Sequence, residues 1–164
     1  MDHYIDPNGI ISLPFYYKSE QMVFCRVLCL SFDNQILFMK RIIRTSEAPL
    51  PIGPYSQAVQ SNGLLFVSGQ IAIDPETQTY TPGSAAEEAK QVMKNLHTIL
   101  AAADLSFEHV LKTTIFLIDM ADFAAVNAVY SAHFPSDFPA RETVQVAGLP
   151  ANARVEISVV AGDK

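Results

Sequence analysis

The sequence predicts an α+β domain in which a mixed sheet carries two helices on one of its faces. Three observations lead there. Beyond residue 39, short apolar strand segments and two helix-period segments follow one another as β, β-hairpin, α, β, α, β, β. Strand-helix-strand crossovers are right-handed, so both helices fall on the same side of the sheet. At 164 residues and 49% hydrophobic, the chain can fill one core but is short for two.

Residues 1–38 read differently from the rest and are expected to be an extension, loosely ordered or not native, ahead of a domain spanning 39–164. Residues 23–30 are apolar, but Lys18 is the one cation before Arg26, which argues against a secretory or transit peptide. Met39, followed by Lys40-Arg41, reads as a start of its own. Cys25 and Cys29 form an isolated C-x-x-x-C, weak evidence for zinc or a disulfide, and a reducing, cytoplasmic setting fits them best.

From residue 41 the elements follow in order. Residues 41–44 form a short strand, and the proline-rich stretch Ala48-Pro49-Leu50-Pro51-Ile52-Gly53-Pro54 a loop. Residues 57–60 and 64–73 are strands joined by Ser61-Asn62-Gly63, since both central residues of such a turn favour positive φ. Ser84 and Glu87 make a capping box. In the helix that follows, Ala85, Ala89, Val92, Met93, Leu96, Ile99, Leu100 and Ala103 share the core stripe, while Glu88, Lys90, Gln91, Lys94 and Asn95 lie off it. Residues 110–118 read as a central strand. A second helix begins near 119–122, lines one side with Phe123, Val126, Asn127, Tyr130 and Phe134, and is stopped by Pro135 and Pro139. Residues 142–149 and 154–161 are the last strands, joined through Pro150-Ala151-Asn152. The other face of the sheet carries apolar residues too, so burial against a second copy is expected.

The chemistry concentrates around Phe138-Pro139-Ala140-Arg141-Glu142-Thr143-Val144-Gln145-Val146. With the strand entered at Arg141, the side chains of Arg141, Thr143 and Gln145 share a face, Glu142 lies opposite, and Val144 and Val146 point toward a core. A guanidinium at a strand entrance can grip a planar carboxylate through two parallel hydrogen bonds, or it can be a solvated charge or half of a surface ion pair. Glu156 sits on the polar face of an alternating strand, where it can orient water or pair with Arg154 or across the sheet. Tyr55 follows a rigid loop and either closes a pocket or packs; Asn127 either braces a loop or meets a ligand. Phosphate-loop, dinucleotide, G-x-S-x-G and H-E-x-x-H motifs are missing, and no two of His3, His97, His109 and His133 have metal-ligand spacing on one helix face. His97 is expected at a helix surface or rim. A net charge of −6 with no run of cations leaves no footprint for nucleic acid or an anionic membrane, and no apolar run approaches the roughly 20 residues of a membrane span, so a soluble protein is expected.

Taken together, these residues resemble the RidA family, also called YjgF/YER057c/UK114, of enamine and imine deaminases. The likeness covers about the whole of 39–164 and is carried by Ala48-Pro49, Pro51-Ile52-Gly53-Pro54-Tyr55-Ser56-Gln57-Ala58, Phe66-Val67-Ser68-Gly69-Gln70-Ile71, Asp122-Phe123-Ala124-Ala125-Val126-Asn127, Phe138-Pro139-Ala140-Arg141 and Val155-Glu156-Ile157. The resemblance implies a chorismate-mutase-like fold, a homotrimer with a central β-barrel and inter-subunit clefts, and no cofactor or metal. It implies that Arg141 binds the substrate carboxylate and Glu156 places the attacking water, with Tyr55, Ser68, Gly69, Asn127 and the backbone around Thr143 shaping the cleft. The substrates would be 2-iminobutanoate or 2-iminopropanoate, released by pyridoxal-phosphate-dependent dehydratases. Thr143 stands where many members have cysteine, and Asp104 where a helix-ending glycine is common. Two rival readings accompany the resemblance: a non-catalytic ligand-binding or chaperone-like trimer, and an RNA-acting translation inhibitor, which the acidic balance disfavours.

Overall fold

The structure, a computed structural model, describes residues 4–5, 11–12, 40–134 and 136–162. The chain divides into two compact units, Met1–Leu37 and Phe38–Lys164. In the first, strands β1 (Tyr4–Ile5) and β2 (Ile11–Ser12) pair antiparallel, Tyr4 opposite Ser12. The apolar segment 23–30, Cys25, Cys29 and Met39 lie outside the described residues.

The second unit is built on a six-stranded sheet. Its strands β3 (Arg41–Ile43), β4 (Ala58–Ser61), β5 (Leu64–Gln70), β8 (Val110–Leu117), β9 (Ala140–Gln145) and β10 (Val155–Gly162) lie in the order β3-β4-β5-β10-β8-β9. All neighbours are antiparallel except β8 and β9, which run parallel. The turn between β4 and β5 is the expected one, with positive φ at both Asn62 (50°) and Gly63 (74°). Helices α1 (Ala85–Ala101) and α2 (Phe123–Ser131) pack into one core with Leu65, Val67, Ile115, Leu117, Ile157 and Val159. Among the described residues the opposite face carries no helix. Ile42, Phe66 and Val144 lie on it 38%, 48% and 41% exposed.

The capping box at α1 is present: Ser84 Oγ accepts the Glu87 N–H, and Glu87 Oε2 accepts the Ser84 N–H at 2.8 Å. Opposite Ser158, β5 carries one more residue than β10, for Val159 pairs with Val67 and Ile157 with Gln70. The bulge therefore falls at Ser68-Gly69 and turns both toward the helix-free face.

Several expectations are corrected. Val144 does not enter the core, because β9 is an edge strand and Val144 sits on the helix-free side, level with Phe116 and Glu156. Strand β9 stops at Gln145 and not 149: its neighbour β8 ends at Leu117, and after the Val146 N–H reaches the Leu117 carbonyl no partner remains. Strand β5 stops at Gln70 and not 73. The chain turns away there, and a short ribbon of β6 (Ile73–Asp74) and β7 (Thr79–Tyr80) follows. Finally, Glu88 and Asn95 are buried and not on a wet helix face. The Glu88 carboxylate accepts the Tyr80 hydroxyl at 2.5 Å and the Arg154 N–H at 2.8 Å, and the Asn95 amide donates to the Ile71 and Ile73 carbonyls. Helix α2 ends at Ser131, ahead of both prolines expected to stop it.

Candidate active site

Two groups of candidate residues gather on different sides of the sheet. The first surrounds Glu156. Its pleat neighbours Val155 and Ile157 are fully buried against the helices, so Glu156 projects from the helix-free face. There it lies against Gly69, where an added Cβ would overlap Glu156 Oε1 and sit 2.7 Å from its carboxyl carbon. The bulge and the glycine together make room for the carboxylate. Leu50, Ile52, Tyr55, Ser68, Gly69 and Glu156 line a cleft of about 270 Å³. No hydrogen bond or ion pair reaches Glu156 from the described residues, and burial pushes its carboxyl above the usual range. Arg154, the expected alternative partner, instead pairs with Asp122 at 2.8 Å.

The wall of that cleft is held by Gln57, which lies just ahead of β4 and not in the expected strand. Gln57 is buried, accepts the Thr45 N–H at 2.9 Å and donates to the carbonyls of Thr45, Ala48 and Pro49 at 3.0, 3.3 and 2.8 Å. One amide thus satisfies a proline-rich loop that cannot form a ladder of its own. Ser68 ties the loop to β5, its N–H donating to Gln57 O and its hydroxyl to Ser56 O at 2.7 Å. Tyr55 is 47% exposed at the rim, its hydroxyl accepting the Ile52 N–H.

The second group surrounds Arg141. In the parallel pairing Arg141 stands beside Thr113 and Thr143 beside Ile115, so both belong to the helix-bearing face. Arg141 Nη1 donates to Asn127 Oδ1 at 2.7 Å, and the guanidinium carbon lies 5.0 Å from the Tyr130 ring centroid and 5.8 Å from that of Phe123. Glu142, on the opposite face, is taken by Lys112 at 2.8 Å and by the Thr114 hydroxyl. Thr143 Oγ1 is shielded from solvent and has no hydrogen-bond partner among the described residues. The sequence places Tyr130 and Phe123 on one side of the second helix but gives them no part in the site. Their signal was present as the helical spacing Phe123, Asn127, Tyr130 ahead of an arginine.

One chain therefore assembles Tyr55, Ser68, Gly69 and Glu156 on one side of the sheet and Asn127, Arg141 and Thr143 on the other, and does not bring the two groups together. His97 is exposed and stacks on Phe107, with ring centroids 6.0 Å apart. Among the described residues no three His, Cys, Asp or Glu side chains converge as a metal site would need, and no helix is long and apolar enough to cross a membrane.

The profile of the endoribonuclease L-PSP family matches residues 45–162. A mouse protein named 2-iminobutanoate/2-iminopropanoate deaminase is 48% identical over 123 residues, covering 75% of this chain and 91% of that protein. The human protein of that name is 49% identical, over 75% and 90%. Among solved structures, the Escherichia coli YjgF gene product superimposes with a TM-score of 0.71 at 40% identity, covering 76% of this chain and 99% of that one.

Proposed function

The chain belongs to the endoribonuclease L-PSP family, the family of the RidA and YjgF proteins, and from that membership we propose that it is a 2-iminobutanoate/2-iminopropanoate deaminase. The observation that carries the reading to this chain's own residues is Glu156: a half-buried carboxylate with no partner among the described residues, facing a glycine in a cleft. A structural carboxylate would have been given hydrogen bonds, as Glu88 has. A carboxylate left without them suits a group that must take and return a proton.

In this reading Arg141 receives the substrate carboxylate through the guanidinium edge that Asn127 leaves free. Glu156 holds a water against the imine carbon and accepts its proton as the C–O bond forms. The proton is then returned to the nitrogen, giving a carbinolamine; as its C–N bond breaks, the hydroxyl proton passes by way of Glu156 to the departing nitrogen, the C=O bond forms, and ammonia leaves a 2-oxo acid. The imine is already electrophilic, so positioning supplies most of what the reaction needs. Because Arg141 and Glu156 lie on opposite faces of one sheet, we propose that each cleft takes its Glu156 side from one copy and its Arg141 side from another. The family's homotrimer, with the helix-free faces forming a central barrel, provides such clefts and covers Ile42, Phe66 and Val144. The imines would be supplied by pyridoxal-phosphate-dependent dehydratases in the cytoplasm.

The test is the release of 2-oxobutanoate and ammonia from 2-iminobutanoate generated in place, for the wild type, Arg141→Ala and Glu156→Gln. Acceleration by the wild type that falls at least about a hundredfold in both variants is expected. Equal rates with the folded wild type and with no protein would end the enzyme reading.

A further inference from the structure

We propose that Tyr130 is a positioning residue for this reaction, its ring the platform that holds the Arg141 guanidinium where the substrate carboxylate is received. Arg141 is the carboxylate's partner in the reading above, and the assignment of Tyr130 depends on that reading. Arg141 projects from an edge strand, and no carboxylate among the described residues pairs with it to set its direction. Its direction comes from α2 instead. Asn127 takes Nη1 at 2.7 Å, and one helical turn on, Tyr130 places its ring 5.0 Å from the guanidinium carbon, within the range over which a ring face attracts a cation.

Tyr130 is suited to this because it cannot move. It is 2% exposed, and its hydroxyl donates to Thr113 Oγ1 at 3.1 Å. Thr113 is fully buried and is the residue on β8 paired directly with Arg141. Strand register, hydroxyl bond and ring-cation contact thus close a triangle through Thr113, Tyr130 and Arg141. Phe123 lies farther away, is 36% exposed and has no hydroxyl to pin it. Burial pushes the Tyr130 phenol up, against the pull of the Thr113 bond and the Arg141 charge, so the ring stays neutral. With one ring face beneath it and Nη1 engaged, the guanidinium keeps Nε and Nη2 for two parallel bonds to a carboxylate.

The test compares Tyr130→Phe, Tyr130→Leu and pentafluorophenylalanine at position 130, which keeps the shape of Phe but reverses the charge distribution of the ring face. For each, calorimetric titration with 2-oxobutanoate and steady-state KM and kcat are measured, alone and combined with Arg141→Gln. The expected result is a loss of about twofold for Tyr130→Phe, which keeps the ring but not the hydroxyl bond to Thr113, and of about fivefold or more in Kd and KM for the other two, with kcat changed less. That loss should vanish when Arg141→Gln is already present, since Tyr130 acts through Arg141. Equal binding by the Phe and pentafluorophenylalanine forms overturns the proposal, and this pair decides it even if Tyr130→Leu does not fold. A loss that persists in the Arg141→Gln background overturns it as well. Should the wild type bind 2-oxobutanoate but not speed hydrolysis, the deaminase reading falls and the binding series still judges Tyr130; a wild type that does not bind it overturns both.

Discussion

A methyl group at position 69 would occupy the space of the Glu156 carboxyl. Gly69→Ala is therefore expected to cost about tenfold or more in kcat/KM, because Glu156 must swing away from the imine carbon, while its free end lets the fold adjust. Steady-state kinetics and thermal melts together check this; unchanged kinetics would remove Glu156 from the reaction. The raised Glu156 carboxyl has two further consequences. The reaction needs the carboxylate, so kcat/KM should rise with pH through a midpoint above the ordinary carboxylate range, and that rise should be absent in Glu156→Gln. Stability runs the other way: folding favours the protonated form, so the contribution is full below the unfolded value and is lost as pH rises through the folded one. Glu156→Gln should melt no lower than the wild type at neutral pH while losing activity. That Arg141 and Glu156 were candidates was legible from strand alternation, which left each an alternative as a surface charge or a member of an ion pair. That one would lie over an aromatic ring and the other would lack a partner was not, because those facts belong to α2 and β5.

Helix α1 shows where local rules suffice and where they do not. Its start was readable because Ser84 and Glu87 satisfy each other within one turn. Its interior was misread at Glu88 because the groups it binds, Tyr80 and Arg154, lie 8 and 66 residues away, and pattern cannot anticipate a buried carboxylate's distant donors. The Tyr80 phenol, pushed up to about 12 chiefly by burial and next by Glu88, stays a donor to it across neutral pH. At its other end the helix closes with the Leu105 N–H on Leu100 and the Asp104 N–H on Ala101, which places Asp104 at φ 59°. A side chain in that left-handed position is strained by about 1 kcal/mol. Asp104→Gly should stabilise the protein by up to that amount, read from denaturant midpoints with kinetics unchanged.

At the scale of the molecule, the division of the site across the sheet can be tested by mixing two inactive proteins. Arg141→Ala and Glu156→Gln chains, unfolded and refolded together in equal amounts, should recover about a quarter of wild-type activity, because random assembly makes that share of clefts from one intact half of each kind. Recovery no greater than the sum of the separate proteins would show that both residues work within one chain. The order of the elements was legible because each helix carries its stripe and each turn its residues. Which candidate residues fall on which side of the sheet was not, since that depends on which face each strand turns inward once paired.

The bulge in β5 makes that last property a matter of counting. Leu65 and Val67 point inward ahead of it and Gln70 behind it, a spacing that alternation alone cannot produce. Deleting one residue between 67 and 70 would restore strict alternation and close the bulge over the cleft floor. In this strand, then, a change of length should be more damaging than most changes of letter, and relatives that differ freely in side chains here should still agree in the number of residues.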